Sequence, residues 1–192
     1  ALFWIILALF GAIPFYMLPE SSLSLTDAIF ESTSGLTTTG ATVMSNLDFL
    51  PKGLLFYRAQ LQWLGGLGIV VLAVAVMPLL GVGGMQLYKA DSASSVSDSK
   101  LNPRKKETAK SLGKIYLALT LSCIICFWAA GMSFFDALCH GLTTIAIGGF
   151  STHDASFGFY QNSPQIYWVA SVFMLLAGVN FSLHFFAWKN KT

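Results

Sequence analysis

The chain has 192 residues, of which 55% are hydrophobic and 10% charged, with a formal net charge of +2. An ordinary soluble domain carries roughly a quarter charged residues, so this composition argues against one. The apolar residues are also grouped into blocks, which points to membrane spans instead of alternating core positions.

Four blocks appear in chain order: 1–18, 54–80, 112–132 and 166–188. Each is near the roughly 20 residues a helix needs to cross a bilayer. The first has no basic leader and no small-residue cleavage site, so it reads as a span whose beginning is cut away. Lys89, Lys100, Arg104, Lys105, Lys106, Lys110 and Lys114 fall between the second and third blocks, and Lys189 and Lys191 follow the fourth. The bias of basic residues toward the cytoplasm puts both regions inside. The outer side carries Glu20, Asp27, Glu31, Asp48, Asp136 and Asp154, with Lys52 and Arg58 its only basic residues. These acids read partly as topology and partly as a negative vestibule that concentrates cations.

The outer connectors, 20–51 and 133–164, are each about thirty residues, far above the usual 4–6. They share one plan. Ser24-Leu25-Thr26-Asp27 and Ser133-Phe134-Phe135-Asp136 both fit the S-x-x-D pattern that caps a helix start. Each leads through Thr-rich sequence to a glycine, Gly40 or Gly149. The offset is constant, since 136 − 27, 133 − 24 and 149 − 40 all equal 109. Two such units at one offset predict an internal duplication.

Segments 24–36 and 133–145 are too short to span and apolar enough to enter the membrane. Irregular backbone at that depth is tolerated only where it is buried or lines a water-filled cavity. Thr37-Thr38-Thr39-Gly40-Ala41-Thr42 and Ala146-Ile147-Gly148-Gly149-Phe150-Ser151 follow the two short helices. The negative C-terminal end of each helix favours a cation. The residues after it can present backbone carbonyls to a dehydrating ion, and the glycines permit the backbone angles this requires.

Other features have plainer readings. Cys123 and Cys126 lie three apart within an apolar span and read as packing residues. Cys139-His140 lacks the further ligands of a zinc site. Asn180 and His184 suit hydrogen bonds between helices, and Gly65-Gly66-Leu67-Gly68 suits close helix packing. For Arg58 and Glu31, charges at or near membrane depth, a functional role is the default, and pairing with each other is one way to carry them. Nothing assembles a nucleophile–base pair, so an enzyme is not expected.

Arg58 with Gln62-Trp63-Leu64-Gly65-Gly66-Leu67-Gly68, then Gly83-Gly84-Met85-Gln86-Leu87-Tyr88, Glu107-Thr108-Ala109-Lys110 and Ile147-Gly148-Gly149-Phe150-Ser151-Thr152 together carry a family resemblance over the whole chain. The sequence resembles the membrane subunit of the Trk/Ktr/HKT potassium transporter superfamily, most closely the bacterial TrkH type. The resemblance implies an all-α membrane protein with two tandem helix–pore-helix–filter–helix repeats, half of a pseudo-fourfold pore. The repeats would cover 1–88 and 111–192, joined by a cytoplasmic linker at 89–110. It further implies K+ as the transported ion, with filter oxygens from Thr38 and Thr39 before Gly40 and from Ile147 and Gly148 before Gly149. Implied partners are two more repeats of a longer chain, a second copy in a homodimer, a cytosolic nucleotide-binding regulatory ring and membrane lipids. Nucleic acid is not expected. The implied location is the bacterial inner membrane, as a multi-pass protein. A gating loop belongs to the family's third repeat, which is not in this sequence. An ion-coupled secondary transporter using re-entrant hairpins is the alternative; it would call for inverted repeats and half-helix N-termini aimed at the substrate.

Overall fold

The structure, a computed structural model, describes the backbone of residues 2–19, 23–80 and 103–179, with side chains over 2–19, 23–69 and 110–179. Its described residues form helices and loops without strands. In chain order they are α1 (Leu2–Met17), α2 (Leu25–Leu36), α3 (Lys52–Leu80), α4 (Pro103–Ala129), α5 (Phe134–Ile145) and α6 (Pro164–Gly178), with 3-10 turns at Leu47–Phe49 and Ser156–Tyr160. In both halves a short helix, α2 or α5, stands between two longer ones. Helix α4 begins at Pro103, inside the stretch expected to be linker; proline suits a first helical position because the N–H it lacks would have no partner there. Most of that linker, the Gly83–Tyr88 segment, Asn180, His184 and the final lysines lie outside the described residues.

Each triplet of helices has its own core. Ala8, Ala12 and Phe15 of α1 meet Ala28 and Leu36 of α2 and Leu54, Leu55 and Leu61 of α3. Tyr116, Cys123 and Phe127 of α4 meet Ala137 and Ile145 of α5 and Ile166, Ala170 and Phe173 of α6. The burial of Cys123 in that core fits its reading as a packing residue. A third, smaller cluster joins the halves, with Ala59 of α3 against Cys139 and Leu142 of α5. Helix α3 is thus a wall shared by both triplets. Trp63 reinforces it, donating its indole N–H to Thr120 Oγ1 while its carbonyl accepts from the Tyr116 hydroxyl.

Large apolar side chains also cover the outside. Leu2, Phe3, Ile6 and Phe10 of α1, Leu121, Ile125 and Trp128 of α4, and Trp168, Val172 and Leu175 of α6 are all exposed. An apolar surface this extensive needs a partner other than water. Among the described residues Lys110–Ala129 is long and apolar enough to cross a membrane, by length and composition alone. Helices α1 and α6 are apolar but shorter over the described range.

Candidate functional site: two converging loops

The two short helices begin as the sequence predicts and differ in one detail. Ser24 and Ser133 each accept the backbone N–H three residues on, from Asp27 and Asp136. At the first helix the box is closed, since Asp27 also accepts the Ser24 backbone N–H. At the second, Asp136 takes the Ser133 hydroxyl on one oxygen and the Thr152 hydroxyl on the other, at 2.7 Å each.

Their C-terminal ends are alike bond for bond. Thr38 N–H donates to the Gly35 carbonyl and Thr39 N–H to that of Ser34, at 3.0 and 2.9 Å; Ile147 and Gly148 do the same to Thr144 and Thr143, at 3.0 and 2.9 Å. This is the Schellman pattern, which ends a helix on a left-handed residue. That residue is Thr38 (φ 54°) in one loop and Ile147 (φ 53°) in the other, and two positions on Gly40 and Gly149 are also left-handed, at 78° and 86°. Glycine adopts such angles freely. A β-branched residue does not, at a cost on the order of 1–3 kcal/mol. Both loops carry this strain at the same place, two positions before the glycine.

The loops also meet. A Cβ placed on Gly40 would overlap the Gly148 carbonyl oxygen and lie 3.6 Å from Gly149 Cα, whereas one on Gly149 would touch nothing within 4 Å. Of the sequence-predicted residues, Gly40, Gly148 and Gly149 are therefore brought together across the two halves. Thr38 and Thr39 lie in the adjoining turn, where the Thr39 and Thr37 hydroxyls are 2.8 Å apart. Ile147 occupies the corresponding turn of the second loop.

Helix α3 backs both loops. Gly65 lies against the Leu36 carbonyl at the end of α2, and Gly66 against Ala146 at the end of α5 and the Tyr116 hydroxyl. The close packing read from Gly65-Gly66 is thus packing against the ends of both short helices, while Gly68 faces Trp4. One turn earlier, Gln62 is fully buried and accepts the Phe150 N–H on Oε1 at 3.1 Å.

Arg58, 1% exposed, ties the halves together. Its guanidinium pairs with Glu31 at 2.7 Å, donates to Thr42 Oγ1 and to the Ser151 carbonyl at 3.0 Å each, and lies 4.3 Å from the centroid of the Phe150 ring. Thr42 donates in turn to Glu31 Oε1 at 2.8 Å. The expected pairing of Arg58 with Glu31 is present, and it places Glu31 inside the protein, not in an outer vestibule. At the 109-residue offset, Glu31 and Thr42 correspond to His140 and Ser151. Those two are also bonded, His140 Nε2 to Ser151 Oγ at 3.0 Å, with His140 Nδ1 bonded to the Asp136 carbonyl. Reading for metal ligands missed His140 in this role; the offset itself is the signal that would have found it.

The outer ends of the loops are clasped. Asp48 pairs with His153, and its other oxygen accepts the Asp154 N–H; Asp154 accepts the Leu47 N–H at 3.1 Å. The His153 ring stacks on Phe159 at 3.6 Å. The hydrogen bond from His153 holds the Asp48 carboxyl below its usual range, against a smaller opposing effect of burial. Asp27, Asp48, Asp136 and Asp154, read as vestibule charges, all serve as hydrogen-bond acceptors in caps and clasp.

Comparison with known proteins matches the whole chain, residues 1–192, to the TrkH family model, described as a cation transport protein. The "Trk system potassium uptake protein TrkH" of Halomonas elongata is 56% identical over 191 residues, covering 100% of this chain and 39% of that protein. Its namesake in Escherichia coli K12 is 55% identical, covering 96% and 38%. The crystal structure of the potassium transporter TrkH from Vibrio parahaemolyticus aligns with a TM-score of 0.84 at 52% identity, over 96% of this chain and 36% of that one. The chain therefore spans less than two fifths of the length of these relatives.

Proposed function

As the chain belongs to the TrkH family of cation transport proteins, we propose that it forms two of the four walls of a potassium-uptake pore within a longer protein. The supporting observation is the pair of loops whose backbones repeat bond for bond and converge at Gly40 and Gly148. In this reading the filter oxygens come from Thr38, Thr39 and Gly40 and from Ile147, Gly148 and Gly149, mainly as backbone carbonyls. Segments 37–42 and 146–151 contain no carboxylate. Uncharged oxygens suit a weakly hydrated monovalent ion that must also leave. The C-terminal ends of α2 and α5 add negative potential beside the site.

The domain plan follows: a first repeat over 1–88, a cytoplasmic linker over 89–110 and a second repeat over 111–192. The helices cross the bacterial inner membrane several times, with the linker inside. Two further repeats complete the pore, a second copy makes the homodimer, and a cytosolic nucleotide-binding regulatory ring gates the assembly. The ion-coupled alternative would aim helix N-termini at the substrate. Against it stand the loops themselves, which follow helix C-termini in both halves.

The test is rubidium uptake and potassium-limited growth in cells that depend on the full-length protein carrying Gly40→Ser or Gly149→Ser, at matched membrane levels. Loss of uptake, or a shift from potassium toward sodium, is expected for both. Unchanged uptake and selectivity in both variants would make the loops structural turns and end the pore reading.

A further inference from the structure

Gln62 and Gly148 form a complementary pair that the assignment of filter oxygens does not use. The Gln62 carboxamide occupies the space above Gly148, so that a Cβ there would overlap its Cδ and Oε1 and come within 2.7 Å of Nε2. The backbone next to the second filter glycine leans on this amide, because Phe150 N–H donates to Oε1. That donor also fixes the amide's orientation, since an N–H can be received only by the oxygen. Nε2 is then left on the other side, buried and without a partner among the described residues. A Leu or Met would fill the same volume without burying an unused donor, so it is the oxygen that distinguishes glutamine here.

The first loop needs no such support. Its residue at the Gly148 position is Thr39, whose own hydroxyl bonds Thr37. In the second loop glycine removes the side chain and α3 supplies a polar group in its place. Resting on the pore reading above, we infer that Gln62 is a positioning residue for ion selectivity, which holds the Gly148–Phe150 backbone at the spacing potassium requires. It contributes no ligand to the ion. Its effect is on how far the second wall can relax toward a smaller ion.

The test measures rubidium uptake against sodium competition per transporter, in the full-length protein at matched membrane levels, with Gly149→Ser alongside. Gln62→Met keeps the length and removes the acceptor. It is expected to lower the potassium-over-sodium preference about five- to tenfold, the effect of one buried donor left without its acceptor. Gly148→Ala alone is expected to lower the preference as well, by collision with Gln62. Combined with Gln62→Ala, which clears the space, it should return to within about twofold of Gln62→Ala alone, as contacting residues do not add. A Gln62→Met protein with unaltered preference, or strictly additive losses in the Gly148 pair, overturns the inference. If Gln62→Met fails to reach the membrane, the Gly148 pair decides by the same criterion. Unchanged uptake and selectivity in both Gly149→Ser and Gly40→Ser would instead bring down the pore reading itself; altered uptake in Gly149→Ser beside silent Gln62 variants removes the positioning role alone.

Discussion

The two loops that follow α2 and α5 have one backbone and two sets of fasteners. Both leave a short helix through the same Schellman turn, hold a β-branched residue in a left-handed conformation and reach a left-handed glycine two positions on. Behind the first loop stands an ion pair, Glu31 with Arg58, received by Thr42. Behind the second stand neutral groups at the matching positions, His140 on Ser151, with Gln62 from α3. What the two loops share is thus the path of the main chain, while the chemistry that holds it differs. A strained path over-determined by its surroundings is how functional backbone persists.

The largest expected effect comes from the fastener shared by both loops. Arg58→Met leaves Glu31 buried without a counter-charge, which costs about 3–5 kcal/mol. Thermal unfolding of the purified full-length protein should show it, and adding Glu31→Gln should recover part of the loss. No recovery would mean that the bonds to Thr42 and Ser151 dominate. The glycines come next and should not be equal. Gly149→Ala pays the left-handed cost of about 1–2 kcal/mol. Gly40→Ala pays that and also collides with the Gly148 carbonyl, so its losses in stability and rubidium uptake should be larger. The reverse order would break the described approach of the loops.

A smaller contrast separates the two fasteners. Thr42→Val disturbs a hydroxyl bonded to charged groups and should cost about 2 kcal/mol, against about 1 kcal/mol for Ser151→Ala, whose partners are a buried imidazole and the His153 N–H. Equal costs would show that charge at Glu31 adds nothing to the hold. The smallest effect belongs to the outer clasp. Asp48 is more than a third exposed, so Asp48→Asn should change stability by about 0–1 kcal/mol. Because its pKa is lowered in the fold, Asp48 stabilises fully above about pH 4 and loses that contribution only as the pH falls further. Because Asp48→Asn has no carboxyl to protonate there, its thermal stability should lack the part of the fall below about pH 4 that Asp48 gives wild type.

Much of this was legible in the sequence because local rules and the repeat agreed. The serine–aspartate caps give both helix starts, and the 109-residue offset gives the two glycines. The left-handed Thr38 and Ile147 were not legible, since propensity argues against β-branched residues there and only the tertiary setting enforces them. His140–Ser151 was legible only through the 109-residue offset, because the equivalent residues, Glu31 and Thr42, differ in charge and hide the match. The outer acids were legible only as a charge count: composition cannot tell which carboxylate also caps a helix or clasps a loop, as Asp27 and Asp48 do. Gln62 stood out only as part of a family motif; its bond to Phe150, 88 positions away, gave no signal.

Gly65 and Gly66 are neighbours in sequence, yet one lies against the end of α2 and the other against the end of α5. Successive residues on a helix point about 100° apart. Sliding α3 along its axis would therefore carry both loops the same way. A side chain added at either glycine would push the same rod, so its displacement would be felt at both walls.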